Sequence, residues 1–185
     1  MGVNAVTYRD LGPKEKYYTD VAYNDLRTIT AGTVIQEEDE IGVERVALDT
    51  TNNRIVRLKF VNVTATGTAP ANVAVGNALH WLDTARTKVT TDQTDAVGGL
   101  NSVAGIGFAA ITKGNRGWIL IEGQATLTSQ GGVTHGAGDA CIASTTDLLV
   151  NKTAANTAPT NQVIGFCNAA GSGAGGTVSV YVKIQ

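Results

Sequence analysis

Residues 103–123 read VAGIGFAAITKGNRGWILIEG, and residues 162–184 read QVIGFCNAAGSGAGGTVSVYVKI. Each is a short apolar strand, a glycine-bearing turn and a closing strand, in the same order. In the second, Val178, Val180, Val182 and Ile184 alternate with Ser179, Tyr181 and Lys183, the period of two expected of a sheet with one buried face. In the first, Trp118 to Ile121 is apolar on both faces and only Glu122 breaks the run. Working outward, the same order extends upstream: 73–92 reads VAVGNALHWLDTARTKVTTD and 133–153 reads VTHGAGDACIASTTDLLVNKT. The tripeptides Ile106-Gly107-Phe108 and Ile164-Gly165-Phe166 recur at an offset of 58, and Val75-Gly76 and His135-Gly136 at an offset of 60. A fixed period of similar elements implies a duplicated unit. The expectation is an all-β chain, a β-sandwich or barrel built from two similar strand modules, 73–123 and 133–184, with an extended N-terminal arm.

Charge changes along the chain. Residues 1–60 carry 10 acidic and 8 basic side chains, whereas 61–185 carry 6 and 6. The change falls at 64–72, TATGTAPAN, which has the Gly, Pro and Thr content of a connector. Within 1–27 no face emerges at either period, so this segment reads as an arm that orders against another surface, or as a short helix. Strand patterns begin again with TITAGTVI at 28–35, GVERVALD at 42–49 and NRIVRLKFVNV at 53–63, with Asn52-Asn53 as a hairpin turn. The division is therefore an arm (1–27), a β-rich docking region with its connector (28–72), and the duplicated body (73–185).

Composition excludes several classes of function. Across 185 residues there are 25 Thr, 24 Ala, 22 Gly and 20 Val against one Met, a poor recipe for a helical bundle. Charged residues are 16% and the net charge is -2, so no basic excess exists to hold nucleic acid or an anionic membrane. No apolar run approaches 18 residues and residues 1–10 lack a signal pattern, which predicts synthesis in a cytoplasm. Aromatics are only 5%, a thin payload for a core, so stability is expected to come partly from assembly with other subunits.

The candidate chemical groups each have a plainer explanation. The acidic run Glu37, Glu38, Asp39 and Glu40 lacks the spacing that cups a cation and reads as a solvated rim or a surface for a basic partner. His80 with Asp83, and His135 with Asp139, form a His and Asp pair in each copy, but no nucleophile elbow accompanies them. The glycine run 171–176 precedes a strand, where a phosphate-cradling loop would precede a helix. Cys141 and Cys167 have no metal-ligand spacing and read as buried free thiols, with a cross-strand disulfide as the alternative. No cofactor and no catalytic residue is expected.

The phrases VAVGNALHWLD, VAGIGFAAI, RGWILIEG, GDACIAS, QVIGFCNAAG and TVSVYVKIQ resemble the capsid decoration, or cement, proteins of tailed bacteriophages. The shared cadence is a small-residue G-N or G-D entering a strand, a polar loop, a glycine-containing strand, a glycine turn and a closing V-x-V strand, over about residues 70–185. The resemblance implies a virion structural protein, often a homotrimer, that sits on the capsid exterior and clamps capsomers. Its partners would be the major capsid protein and further copies of itself. Within that reading Tyr8, Tyr17, Tyr18 and Tyr23 are anchors at the capsid interface. Charge pairs from Arg9, Lys14, Lys16 and the run Glu37, Glu38, Asp39 and Glu40 would fix register more than affinity, and Arg27 belongs to the same interface.

Two other classes make different demands. A head-fibre or receptor-binding protein would display the loops 83–99 and 145–161 to a host glycan, with a cleft lined by Trp81 or Trp118. An enzyme acting on glycans would need two carboxylates facing one cleft, and Asp92 with Asp95, or Asp83 with Asp139, are the candidates.

Overall fold

Val and Thr suit a pleated, half-buried surface, and the alternating stretches fold as strands. In the computed structural model the described residues are 16–17, 41–49, 54–153, 157–159, 161–171 and 176–184. They form eleven strands: β1 (Lys16–Tyr17), β2 (Glu44–Asp49), β3 (Arg54–Val63), β4 (Ala78–Trp81), β5 (Lys88–Thr90), β6 (Val103–Gly107), β7 (Arg116–Thr128), β8 (Ala140–Ala143), β9 (Val150–Lys152), β10 (Val163–Cys167) and β11 (Thr177–Lys183). One 3-10 turn, Gly99–Asn101, is the sole helical element among the described residues. The all-β expectation therefore holds. The strand expected at 28–35 lies outside the described residues, as does the arm apart from the backbone of Lys16 and Tyr17. β2 and β3 pair antiparallel from Glu44↔Lys59 to Asp49↔Arg54, and the turn expected at Asn52-Asn53 between them lies outside the described residues.

The pairings close two rings. β3 pairs parallel with β5, then β5 with β4, β4 with β6, β6 with β7, and β7 returns antiparallel to β3. The second ring starts from the same long strand: β7 pairs with β11, then β11 with β10, β10 with β8, and β8 with β9. It returns to Ser129, at the end of β7, through a parallel bridge with Val150. Numbering five strands within each ring gives one cycle, 1-3-2-4-5, with the parallel pairing at the same place. β7 is the fifth strand of the first ring and the first strand of the second. The handover falls at Glu122, whose backbone faces Arg57 on β3 and Lys183 on β11.

Turn chemistry repeats with the topology. Asn77 Oδ1 accepts from Ala74 N–H (2.7 Å), and Asp139 Oδ2 accepts from Gly136 N–H (2.7 Å). The preceding glycines both adopt the left-handed region, Gly76 at φ +84 and Gly138 at φ +86. Gly76 N–H donates to the Gly107 carbonyl and Gly138 N–H to the Cys167 carbonyl. These bonds correct the register of the repeat: Gly76 matches Gly138 rather than Gly136, and Gly105 matches Gly165. The shared Ile-Gly-Phe tripeptides are thus two residues out of alignment. A two-residue shift leaves every side chain on its original face, so the sequence offset finds the right elements while missing the register. Backbone crowding fixes it: a Cβ on Gly105 would lie 2.6 Å from Ile119 Cδ1, and one on Gly165 would overlap the Tyr181 carbonyl oxygen.

The core follows from this arrangement. Val61, Val63, Leu79, Trp81, Val89, Ala104, Ile119 and Ile121 fill the first ring together with Val73 and Ile111. Leu127, Cys141, Ala143, Val150, Ile164, Val180 and Val182 hold the corresponding places in the second. β7 is apolar on both faces because Trp118 and Leu120 point away from the first ring's interior, into the cluster that also contains the second ring's interior. Phe60 packs on Trp118 with ring centroids 5.0 Å apart, and the Arg45 guanidinium lies 5.2 Å over the Trp118 ring.

Candidate functional site

The anchors inferred from sequence, Tyr8, Arg9, Tyr18, Tyr23, Arg27, Glu37 and Glu38, lie outside the described residues, and so does the run continuing through Asp39 and Glu40. Of Tyr17 the backbone is described: with Lys16 it adds a parallel strand to β2, opposite Val46 and Arg45. Part of the arm is therefore engaged in main-chain pairing at a sheet edge.

A second feature is a cleft of about 470 Å³ where loops of the first ring meet the second. Trp81 at the end of β4, Asp83, Thr84 and Arg86 from the β4–β5 connection, Val97 and residues 101–103 line it, with Gln162 contributed from just before β10. The β4–β5 reversal is built around Asp83, whose Oδ1 accepts from Thr87 N–H (2.9 Å) and Lys88 N–H (3.2 Å) and whose Oδ2 accepts from Thr87 Oγ1 (2.6 Å). Burial pushes this carboxyl upward, but the Thr87 and Lys88 hydrogen bonds outweigh it and hold it below its ordinary value. Arg86 sits at φ +56, a left-handed position that an arginine adopts at a cost. Gln162 is fixed by both ends of its amide: Oε1 accepts from Val103 N–H (2.7 Å) and Nε2 donates to the Val103 carbonyl (3.4 Å). Trp81 offers the cleft little ring surface, being packed in the first ring's core with Lys59 Nζ 5.2 Å from its ring centroid. Trp118, the other tryptophan considered for such a cleft, is buried. The sequence singled out Trp81 and the loop 83–99; it gave no sign of Gln162, which the second ring brings across.

The His and Asp pairs do not form. His80 is buried, and burial lowers its pKa although the Gly99 carbonyl and Asp147 act the other way. Asp83 is committed to its own loop. His135 is buried in the second ring, where Nε2 lies 2.7 Å from Ser129 Oγ and Nδ1 lies 3.6 Å from Cys167 Sγ. Ser129 Oγ lies 3.2 Å from the Gln130 carbonyl, its acceptor. A proton on Nε2 with the Cys167 thiol donating to Nδ1 satisfies every member of this chain. Burial lowers the His135 pKa, helped by Lys152, and burial raises that of Cys167, helped by Asp139, so both are neutral at pH 7. A neutral thiol beside a neutral imidazole, closed off from solvent, is core chemistry. Cys141 is also a buried free thiol, as the sequence leads one to expect. Asp139 serves Gly136 N–H and Lys152 Nζ (3.1 Å). Asp92 accepts from Thr94 and Asp95 from Thr68, so these two carboxylates also brace loops. Among the described residues no group of three His, Cys, Asp or Glu is placed to hold a metal ion.

No protein-family model matches the chain, and no curated protein matches it. Among solved structures, the N base of the head fiber protein gp8.5 of bacteriophage phi29 is similar at 12% identity and a TM-score of 0.45, covering 68% of this chain and 92% of that one. Likeness at that level leaves the function of this chain to be argued from its own residues.

Proposed function

We propose that the chain is a structural protein of a phage virion, a decoration or cement protein on the capsid exterior that stabilises contacts between capsomers. The observation that carries this reading is the pairing of Lys16–Tyr17 with the edge of β2. This pairing lies within the chain and fixes part of the arm by main-chain hydrogen bonds, which gives the expected anchors a held base from which to meet a capsid surface. The resemblance of residues 70–185 to phage cement proteins supports it independently. In this reading the partners are the major capsid protein, met through Tyr8, Arg9, Tyr17, Tyr18, Tyr23, Arg27, Glu37 and Glu38, and further copies of the chain in a homotrimer. Nucleic acid, membrane, cofactor and catalysed reaction have no part in it, and the protein is made in the host cytoplasm.

The test is co-sedimentation of the purified full chain with expanded phage heads, beside a chain lacking residues 1–27. The full chain is expected in the pellet and the truncated one in the supernatant, with its β-rich circular dichroism retained. A full chain that stays in the supernatant, or a truncated one that pellets equally well, would overturn the proposal.

The cleft lined by Asp83, Arg86, residues 101–103 and Gln162 supports a second reading, a head-fibre or receptor-binding protein of a phage virion, although Trp81 gives it little ring surface. Binding of a host surface saccharide, lost in Arg86→Ala, would support that reading; absence of saccharide binding to the full chain would remove it.

A further inference from the structure

We infer that the outer face of β10 and β11, centred on Phe166 and Tyr181, packs against a second copy of this chain. The two rings supply the argument because their positions correspond one to one. Ile106 faces Leu120 across β6 and β7, and Phe166 faces Tyr181 across β10 and β11. The first pair is 0% and 1% exposed; the second is 59% and 46% exposed. The first pair is buried within the chain, in one continuous cluster with the interior of the second ring. Nothing among the described residues buries the second pair.

The remaining positions show how sequence treats the open face. Where the first ring has Leu58, Phe60 and Trp118, the second has Gln124, Thr126 and Ser179, and Gln124 Nε2 donates to Ser179 Oγ at 3.0 Å. Those three residues are polar, with Thr126 exposed and Gln124 and Ser179 half-buried. At the other two positions the side chain has become larger: isoleucine gives way to phenylalanine and leucine to tyrosine. The result is one apolar surface with a polar rim, the anatomy of an interface anchor.

A second copy is the occupant this geometry favours, because the equivalent face of the first ring is already packed within the chain, in one cluster with the interior of a module of the same kind. Its flank also carries both signs of charge, Glu122 with Arg57 at 2.9 Å and Lys183 opposite Glu122, which suits a like surface better than a strongly charged one. The inference rests on the self-association in the proposed function and is independent of attachment to a head.

The experiment is sedimentation equilibrium of the full chain without heads, beside Phe166→Ser/Tyr181→Ser and, as a control, Ile55→Ser, which alters an exposed apolar residue elsewhere. The wild type and the control are expected at a multiple of 19.1 kDa. The double variant is expected to associate at least about 100-fold more weakly, with an unchanged thermal melt at dilutions where the wild type is monomeric. If the double variant does not fold, Phe166→Leu/Tyr181→Gln replaces it with the same expectation. A wild-type chain that is monomeric at all concentrations, or a folded variant that associates as strongly as the wild type, would overturn the inference. So would a monomeric wild type whose head binding is lost in the variant, since the face would then meet a capsid partner. Self-association that persists while head binding is absent would leave this inference standing and remove the decoration reading.

Discussion

The two rings share a strand cycle and one strand, yet they differ in what surrounds them and in what fills them. The first is apolar inside and apolar on its outer face, because the rest of the chain covers that face. The second keeps Leu127, Val150, Val180 and Val182 inside but places Ser129 and His135 where the first has Val63 and Val73. On its outer face Gln124, Thr126 and Ser179 stand where the first has Leu58, Phe60 and Trp118, beside the exposed Phe166 and Tyr181. The comparison teaches that a duplicated backbone fixes where a side chain sits, whereas the neighbours of each copy decide what that side chain must be.

The largest effect expected from breaking this contrast is at Phe60 and its counterpart Thr126. Phe60→Ala should cost about 3–5 kcal/mol in urea unfolding, as a buried aromatic does, whereas Thr126→Ala should stay within about 0.5 kcal/mol. Equal costs at the two positions would remove the distinction between a covered and an open face.

The next effect concerns the polar chain in the second ring. Ser129→Ala leaves His135 Nε2 buried without a partner and should cost about 1–3 kcal/mol. Installing the first ring's residues at both positions, Ser129→Val with His135→Val, should be milder than the single change, since no imidazole is then stranded and only the weakly polar Cys167 thiol and the Gln130 carbonyl lose a partner. A double variant less stable than Ser129→Ala would contradict the equivalence of Val63 with Ser129 and of Val73 with His135.

Stability should also depend on pH in a direction set by the buried groups. His80 and His135 have folded pKa values below their unfolded ones, because burial disfavours the charged ring. The unfolded chain therefore binds more protons as pH falls below about 6.5, and stability declines there. Asp83, Asp92 and Asp139 are held below their ordinary values, so their contribution is lost at still lower pH, as they protonate in the folded state. At the alkaline end the Cys141 and Cys167 thiols are raised by burial, so unfolding is favoured as pH rises past their unfolded values. Melting temperature against pH should show a plateau between these limits. His135→Val should flatten the decline just below neutrality; an unchanged decline would mean that His135 does not contribute to it.

The smallest effect is at the surface. Arg57 on β3 bridges Glu44 of β2 (3.0 Å) and Glu122 of β7 (2.9 Å), with all three side chains partly exposed. Arg57→Ala should cost less than about 1 kcal/mol, and the loss should shrink further in high salt.

Much of this fold was legible because period two survives wherever one face is buried, as in Val178, Val180 and Val182. The doubly apolar run Trp118 to Ile121 announced a strand buried on both sides, yet it could not say that the strand belongs to two rings. Ring closure depends on Val63 meeting Val89 and Ser129 meeting Val150, parallel contacts between distant segments that leave no local pattern. The small-residue G-N and G-D signals were sound guides, since Asn77 and Asp139 make the same turn. Of the candidate site, Trp81 and its loop could be read from the chain, but Gln162 could not. A glutamine that reaches across modules to Val103 has the same composition signal as any polar loop residue.

The claim on which the account depends is that one five-strand module is used twice around β7. Two amides test it most directly by hydrogen exchange and cross-strand NOEs: Thr64 N–H, which donates to the Val89 carbonyl at 2.9 Å, and Gln130 N–H, which donates to the Val150 carbonyl at 2.8 Å. Both should be protected from exchange, with NOEs linking 63–64 to 89 and 129–130 to 150. Rapid exchange at Gln130 with no NOE to the Val150 segment, beside a protected Thr64, would show that the second ring does not close and that the two modules are not the same.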